Sequence, residues 1–320
     1  MSDIVSLGYP IYKPSVKKHF SDGILKLSTE STFVEIDLNE DPDDVDRLDN
    51  MLCGKNEILL NSCNGAFILS LYKDGILDDL NSTRFPGYIS SIQVVSDIKK
   101  YTSDNVRKLK TRFMKKLQNG TLNDLTIKKW IHSLFHYTHS ASYHIAPLTN
   151  QGENRAYWTT FLNDEKHHWR IYNRIFKYLG WNIDAIKCEN FPAINKHFIQ
   201  SLHDTANRSE YQYACLLAYI EQGPLVEDLT DDLQFGSLIK MYNYPRQVIE
   251  PLWQHTQYNR TAGHEDMWAE ILLKKIGFTQ SEITGMKNSI ITMLSHIDNW
   301  YLALEYEDEY GPTASPYYMV

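Results

Sequence analysis

The chain has 320 residues, of which 42% are hydrophobic and 22% charged, so it is long and apolar enough for one large domain or two ordinary ones. Its net charge of −8 argues against a nucleic-acid partner, because such proteins normally present a basic face. No stretch approaches the roughly 20 apolar residues of a membrane span, and the first residues lack the basic and apolar regions of a signal peptide. Together with four scattered cysteines that form no Cys-x-x-Cys pair, these features predict a cytoplasmic protein with no membrane partner.

The first 95 residues have the pattern of a small α/β domain. Apolar residues alternate from Ile24 to Leu38 on either side of a polar turn, which predicts a β-hairpin. Helical spacing follows from Asp43 to Met51 and from Ala66 to Lys73, with a further short helix over 58–62. A turn at 74–75 then leads into a short strand.

The order of these elements resembles the peptide-binding winged-helix domain of ribosomal-peptide-modifying enzymes. The resemblance is carried by the runs 9–16, 48–55 and 69–77. In that family the hairpin edge and a helix bind a leader peptide by strand addition, so the resemblance implies a peptide partner. The alternative is a module that only packs on its neighbour or forms a homodimer.

The remainder of the chain has helical patterns. Residues 96–124 predict a solvated connecting helix that ends near Gly120. Helical spacing continues over 125–306, with stop signals at Gly180, Gly223-Pro224 and Gly277, and predicts a seven-helix bundle. The acidic residues 307–320 are predicted to be a mobile tail. The expected fold class is therefore mainly α, a helical bundle preceded by the small α/β domain.

Metal-binding chemistry is indicated first by Glu165 and His168. The two residues are three apart in a predicted helix that continues to Leu179, so they share one face. Four-helix di-iron proteins offer a carboxylate and an imidazole to one metal in this way. The pair alone also fits an exposed helix face.

Further ligand candidates lie on two other predicted helices. Glu221 follows the apolar run 215–220, and a buried carboxylate there needs a partner such as a metal. His255 and Asn259 are four apart and share a face, whereas His264 joins them only if the helix bulges near Gly263. A set of carboxylates and imidazoles suits iron or manganese better than a metal that prefers thiolates.

These segments resemble the heme-oxygenase-like di-iron oxidases and their metal-free relatives. The likeness is carried by 164–180, by 218–221 and by 255–277. It implies that Glu165 and His168 form the first ligand pair and Glu221 the next carboxylate, and that these three are the catalytic residues. It also implies that His255 begins a final His-x-x-x-Asp-x-x-His set. This chain has Asn259 in place of the aspartate and Ala262 in place of the last histidine, which puts one of two metal positions in doubt.

The sequence thus predicts a non-heme iron oxidoreductase that holds one or two Fe(II) ions per chain and uses dioxygen as co-substrate. The metal ligands would be Glu165, His168, Glu221, His255, Asn259 and His264. The substrate would be an amino acid or a peptide in natural-product biosynthesis. Two alternatives stay open: a cofactorless or hydrolytic enzyme of the same fold, and a non-catalytic protein that binds a peptide.

A second group of histidines lies at His132, His136, His139 and His144. The first three share one helical face, but no carboxylate accompanies them in the sequence. We expect these residues to line the pocket or to form hydrogen bonds between helices, with a metal site as the alternative.

Overall fold

The computed structural model describes residues 10–13, 15–30, 32–38, 42–52, 58, 64–79, 88–108, 112–222 and 226–310. The chain divides into two compact units, each built from two stretches of sequence. The first unit contains Met1–Ser103 and Ala269–Lys287, and the second contains Asp104–Trp268 and Asn288–Val320. The domain boundaries proposed after residues 95 and 124 stay predictions.

The first unit combines short strands with three helices in its described N-terminal part. Its elements are β1 (Pro10–Tyr12), β2 (Lys17–Ser21), β3 (Ile24–Ser28), β4 (Phe33–Asp37), α1 (Pro42–Met51), α2 (Gly65–Lys73), β5 (Leu77–Asp79), β6 (Ile89–Ser90) and α3 (Ser91–Val106). Strands β2, β3 and β4 form an antiparallel sheet in that order, and β1 pairs with β5. Strand β7 (Gly277–Phe278) pairs with β6.

The predicted hairpin is present as β3 and β4, with Leu25 opposite Ile36. Leu25 and Leu27 on β3 are buried, so alternate residues of this central strand face the core. Strand β2 was not predicted. It is joined to β3 through Asp22 and Gly23, which both have positive φ (53° and 75°), as a tight turn between two antiparallel strands requires.

The second unit is built from helices. They are α4 (Phe113–Gln118), α5 (Asp124–His139), α6 (Ala141–Gln151), α7 (Arg155–Glu165), a 3-10 helix (His168–Tyr172), α8 (Asn173–Leu179), α9 (Ile183–Lys187), α10 (Ala193–Arg208), α11 (Glu210–Ile220), a 3-10 turn (Leu229–Asp231), α12 (Phe235–Tyr242) and α13 (Arg246–Thr261). Helices α3, α14 (His264–Leu273) and α15 (Gln280–Tyr310) contain residues of both units. Of the helices in the described residues, none is both long enough and apolar enough to cross a membrane.

Side-chain caps and left-handed residues set several helix ends. Asn123 accepts a hydrogen bond from the Thr126 amide at the start of α5, and Ser209 accepts one from the Gln212 amide at the start of α11. Gly180 has φ 71° and ends α8. Of these, Gly180 is a stop signal that the sequence predicts.

Two regions differ from the sequence predictions. In place of one solvated helix over 96–124, the structure has α3 and α4, because a turn closed by the Lys108 amide and the Asn105 carbonyl ends α3. Helix α4 is not solvated, since Phe113 and Leu117 are fully buried. The predicted helix over 58–62 lies, apart from Ile58, outside the described residues.

The predicted tail is helical over residues 307–310, and 311–320 lie outside the described residues. Polar contacts of the acidic side chains explain why α15 continues past 306. Glu307 pairs with Lys129, and Asp308 accepts a hydrogen bond of 2.9 Å from the Asn123 amide. The acidic residues therefore pack on the start of α5.

A buried carboxylate, Glu210, connects the α6–α7 turn to α11. Its oxygens accept hydrogen bonds from the Glu153 and Asn154 amides and, at 2.8 Å, from the indole of Trp158. Glu210 is only 6% exposed. Three donors compensate the cost of burying its charge, so this glutamate has a structural explanation within the fold.

Candidate metal centre

The second unit encloses a cavity of about 190 Å³. Its wall contains both apolar and ionisable side chains. They include Leu134, Tyr137, Thr138, His144, Phe161, Glu165, Tyr172, Ile220, Glu221, Gln234, Leu252, His255 and Asn259. A small cavity with several convergent polar groups is the usual form of a binding site for a small molecule.

A first group of potential metal ligands consists of Glu165 and His255, which line the cavity, and His168, which contacts both. Nδ1 of His168 lies 2.9 Å from Oε2 of Glu165 and 2.8 Å from Nε2 of His255. Each residue offers one ligand atom within 4.8 Å of the others. Two imidazoles and a carboxylate at this spacing could hold a single metal ion.

A second group consists of Glu165, Glu221 and His264, all three buried. Nδ1 of His264 lies 3.3 Å from Oε1 of Glu165. Their ligand atoms also lie within 4.8 Å of one another. Glu165 therefore belongs to both groups, with one carboxylate oxygen near His168 and the other near His264.

His264 reaches the site because the backbone breaks just before it. Helix α13 ends at Thr261, Gly263 adopts a left-handed conformation with φ 77°, and α14 begins at His264. The break turns the histidine inward, where it is only 5% exposed, whereas Ala262 lies on the surface. The helical spacing in the sequence requires a bulge near Gly263 for His264 to join the site, whereas the structure has the end of one helix and the start of the next at this position.

The Glu165 and His168 pair is not on one continuous helix as the sequence predicts. Helix α7 ends at Glu165, and a 3-10 helix begins at His168. The tighter winding still leaves the two side chains in contact. Breaks of this kind within a helical stretch are frequent at functional sites, where they re-aim side chains.

Asn259 lines the same cavity from α13 and is 3% exposed. Its Oδ1 has no hydrogen-bond partner within the described part of the chain, and the same holds for Oε1 of Glu165 and Nδ1 of His264. Buried polar atoms are nearly always satisfied in folded proteins. Oε1 of Glu165 and Nδ1 of His264 face each other at 3.3 Å without a hydrogen bond, and together with Oδ1 of Asn259 they are ligand atoms that a bound metal ion would fit.

The two glutamates of the cavity have opposite pKa shifts. Burial by itself raises the pKa of Glu165, but the hydrogen bond with His168, the proximity of His264 and the charge of His255 outweigh it and lower the pKa below its usual value. Burial, followed by repulsion from Glu165, raises the pKa of Glu221 well above its usual value. The two carboxyl groups of one cavity are therefore shifted apart, so Glu165 loses its proton more readily than Glu221.

Some residues of the wall were not predicted as part of the site. Tyr137 lines the cavity and is half-buried, and desolvation followed by the nearby Glu221 charge raises its pKa well above the usual value. Tyr172 also lines the cavity from the 3-10 helix. Their positions in apolar helical patterns make them indistinguishable from core residues in the sequence. His144 lines the cavity, and its Nδ1 lies 2.8 Å from the Tyr213 hydroxyl. Both findings agree with the expectation that the second group of histidines lines the pocket or forms hydrogen bonds between helices.

We expect Glu221→Gln to stabilise the metal-free protein above pH 7, by about 1–3 kcal/mol if the cost is that of a poorly compensated buried polar group. The pKa of Glu221 is raised in the folded state. Between the pKa of the unfolded state and that of the folded state, the folded protein therefore binds more protons than the unfolded protein. The free energy of unfolding consequently falls as the pH rises through this range. Denaturant unfolding of both proteins from pH 5 to 9 measures this effect. The curves should diverge as pH rises, whereas the exposed Glu227→Gln control should follow the wild type. Parallel curves for Glu221→Gln and the wild type would contradict the assignment.

Comparison with known proteins identifies the fold and nothing finer. No family model matches the chain, and no curated protein matches it. A structural neighbour is a domain of unknown function with a heme oxygenase-like fold from Shewanella denitrificans. It is 12% identical with a TM-score of 0.54, and the match covers 68% of this chain and 95% of that one. This chain therefore has a heme oxygenase-like helical fold, preceded by the small antiparallel sheet.

Proposed function

We propose that this protein is a non-heme iron oxidase or oxygenase that binds Fe(II) in the cavity and uses dioxygen as co-substrate. The observation that carries the proposal is the sharing of Glu165, a residue of the cavity wall, by two groups of potential ligands. A carboxylate with one oxygen directed to each of two histidine-containing groups suits one or two metal ions.

The donor set fits iron in chemistry as well as in number. His168, His255 and His264 supply imidazole nitrogens, and Glu165 and Glu221 supply carboxylate oxygens. Carboxylate and imidazole ligands with open positions are typical of non-heme iron sites. Ferrous iron, when bound, supplies the electrons for dioxygen chemistry that these side chains cannot supply themselves.

The residues around the ligands prepare the cavity for such chemistry. The raised pKa of Glu221 means that a bound cation would have to compete with a proton for this carboxyl group. Phe161, Leu252 and Ile220 provide apolar walls that limit access of water. Tyr137 keeps its hydroxyl proton and can donate a hydrogen bond into the cavity.

The size of the cavity favours a small reacting group. At about 190 Å³ it is smaller than the ~300–1,000 Å³ pockets that hold drug-sized ligands. We propose an amino acid, or one residue of a peptide, as the substrate. In support of a peptide, the described sheet of the first unit ends in edge strands β2 and β4, and a strand edge is a surface to which an extended peptide can add.

A cofactorless acid–base enzyme is the second candidate, and one observation favours it. In the same cavity the pKa of Glu165 is lowered and that of Glu221 is raised. Two carboxyl groups with opposed pKa shifts are the usual arrangement of a catalytic base and acid. In this candidate the unpartnered atoms would bind substrate.

Anaerobic reconstitution with Fe(II), followed by removal of loose metal and iron analysis, tests the proposal. We expect about one to two irons per chain, as one or two metal positions in a helical carboxylate site require. Admission of oxygen should then oxidise the iron, with oxygen uptake measured at an electrode. Iron content at background, with unchanged folding by circular dichroism, would remove the iron proposal and leave the acid–base candidate.

A further inference from the structure

A third group of potential metal ligands lies in the second unit, apart from the residues that line the cavity. His132 and His136 are one turn apart on α5, and Glu189 lies between α9 and α10. Nε2 of His132 is 3.0 Å from Oε2 of Glu189, and Nε2 of His136 is 3.8 Å from the same oxygen. The sequence pattern groups the two histidines without a carboxylate, and the fold brings Glu189 next to them.

His136 is buried, but its ring nitrogens lack the hydrogen-bond partners that a buried histidine normally has. Its side chain is 1% exposed, and neither ring nitrogen has a hydrogen-bond partner among the described residues. The 3.8 Å separation from Glu189 is too long for a hydrogen bond. A buried imidazole without partners is costly, so the position calls for a ligand between these groups.

The protonation state of His136 suits a metal better than an ion pair. Burial, followed by the charges of His132 and His139, lowers its pKa to about 4. The ring is therefore neutral at pH 7 and offers a lone pair. A neutral ring gains little from the Glu189 charge, but a metal ion would bind both.

The surroundings of the group are aromatic. The Trp181 ring stands edge-on to His132 at 6.0 Å between centroids, and the Phe191 ring stands edge-on to His136 at 6.5 Å. His132 and Glu189 are partly exposed, with 26% and 50% of their side chains accessible. A metal ion can therefore enter from solvent, while the aromatic side restricts the ligands to one orientation.

We propose that His132, His136 and Glu189 bind a zinc ion at a site separate from the cavity. Two imidazoles and one carboxylate form a borderline donor set that zinc accepts, with water in the fourth position. The ion would join α5 to the α9–α10 connection. Because α5 also contributes Leu134, Tyr137 and Thr138 to the cavity wall, the site would hold a wall of the cavity in place without being part of it.

The test isolates this site by working in the Glu165→Gln background, where Glu165 no longer serves either cavity group. Metal-free full-length protein is titrated with Zn²⁺ against a chromophoric chelator, and with Co²⁺ to record visible absorption. We expect one zinc per chain and a visible cobalt spectrum. Adding Glu189→Gln, at a half-exposed position that folding tolerates, should weaken zinc binding by about 10–100-fold or more.

Two further variants keep the result interpretable. His132→Asn, in the same background, should reproduce the loss of zinc. Asp184→Asn on α9 removes a more exposed carboxylate near the group and should bind zinc like its parent. Zinc affinity unchanged by Glu189→Gln and His132→Asn, or no zinc bound in the Glu165→Gln background, would overturn the proposal. Neither result depends on whether the cavity binds iron.

Discussion

Replacing Glu165 with glutamine is expected to weaken metal binding by both ligand groups at once. Glu165 is the one residue common to both ligand groups, and a neutral amide is a much poorer ligand than a carboxylate for a hard cation. We expect iron affinity to fall by on the order of 100-fold or more. Iron analysis after anaerobic reconstitution measures the change directly. By contrast, His255→Ala and His264→Ala should each disturb one group and leave the other.

Glu210→Gln is the matched control, because Glu210 is as buried as Glu165, at 6% exposed, but lies outside the cavity wall. It weakens the hydrogen bonds that the Glu153 and Asn154 amides donate. We expect it to lower the free energy of unfolding and to leave iron content unchanged. If Glu165→Gln kept wild-type iron content, Glu165 would not be the shared ligand.

Asn259→Asp is expected to strengthen metal binding. Asn259 stands where the resembled family has an aspartate, lines the cavity and has an unpartnered Oδ1 within the described residues. A carboxylate there adds a charged ligand, and we expect iron affinity to rise by about 10–100-fold. The metal-free variant should be less stable than the wild type, because the new charge is buried without a cation. Chelator competition and metal-free thermal unfolding measure the two effects.

Gln234→Glu serves as the control for charge alone. Gln234 lines the same cavity, so its replacement by glutamate adds the same charge at a different position. A general electrostatic effect would strengthen iron binding in both variants. A gain confined to Asn259→Asp would assign the ligand role to that position, and no gain in either would show that residue 259 does not reach the metal.

The fold class was predictable because helical periodicity and stop signals are strong in the second unit. Gly180 ends α8 as its position indicates, and the apolar run 215–220 forms the end of α11, with Cys215, Leu216 and Leu217 buried. Strand β2 was missed because Lys17, Lys18 and His19 show no apolar alternation. The signal that could have found it is Asp22-Gly23, a dipeptide that favours a two-residue hairpin turn.

The site was harder to predict because its ligands lie at helix ends. Sequence spacing assumes continuous helices, yet α7 stops at Glu165 and α13 stops before His264. Glu189 could not be grouped with His132 and His136, since residues 57 and 53 positions apart meet only in the tertiary fold. Patterns in a single sequence predict local geometry, and they do not predict contacts between residues that are far apart in the chain.

The left-handed Gly263 has a consequence for how such proteins can diverge. A ligand in a regular helix is tied to its neighbours by the pitch, and a shift of two residues would turn it to the opposite side. A helix end at glycine removes that constraint, so His264 is buried beside Glu165 although it lies five residues beyond Asn259. A chain with such a helix end can keep a histidine beside this glutamate without keeping a fixed spacing between the two residues.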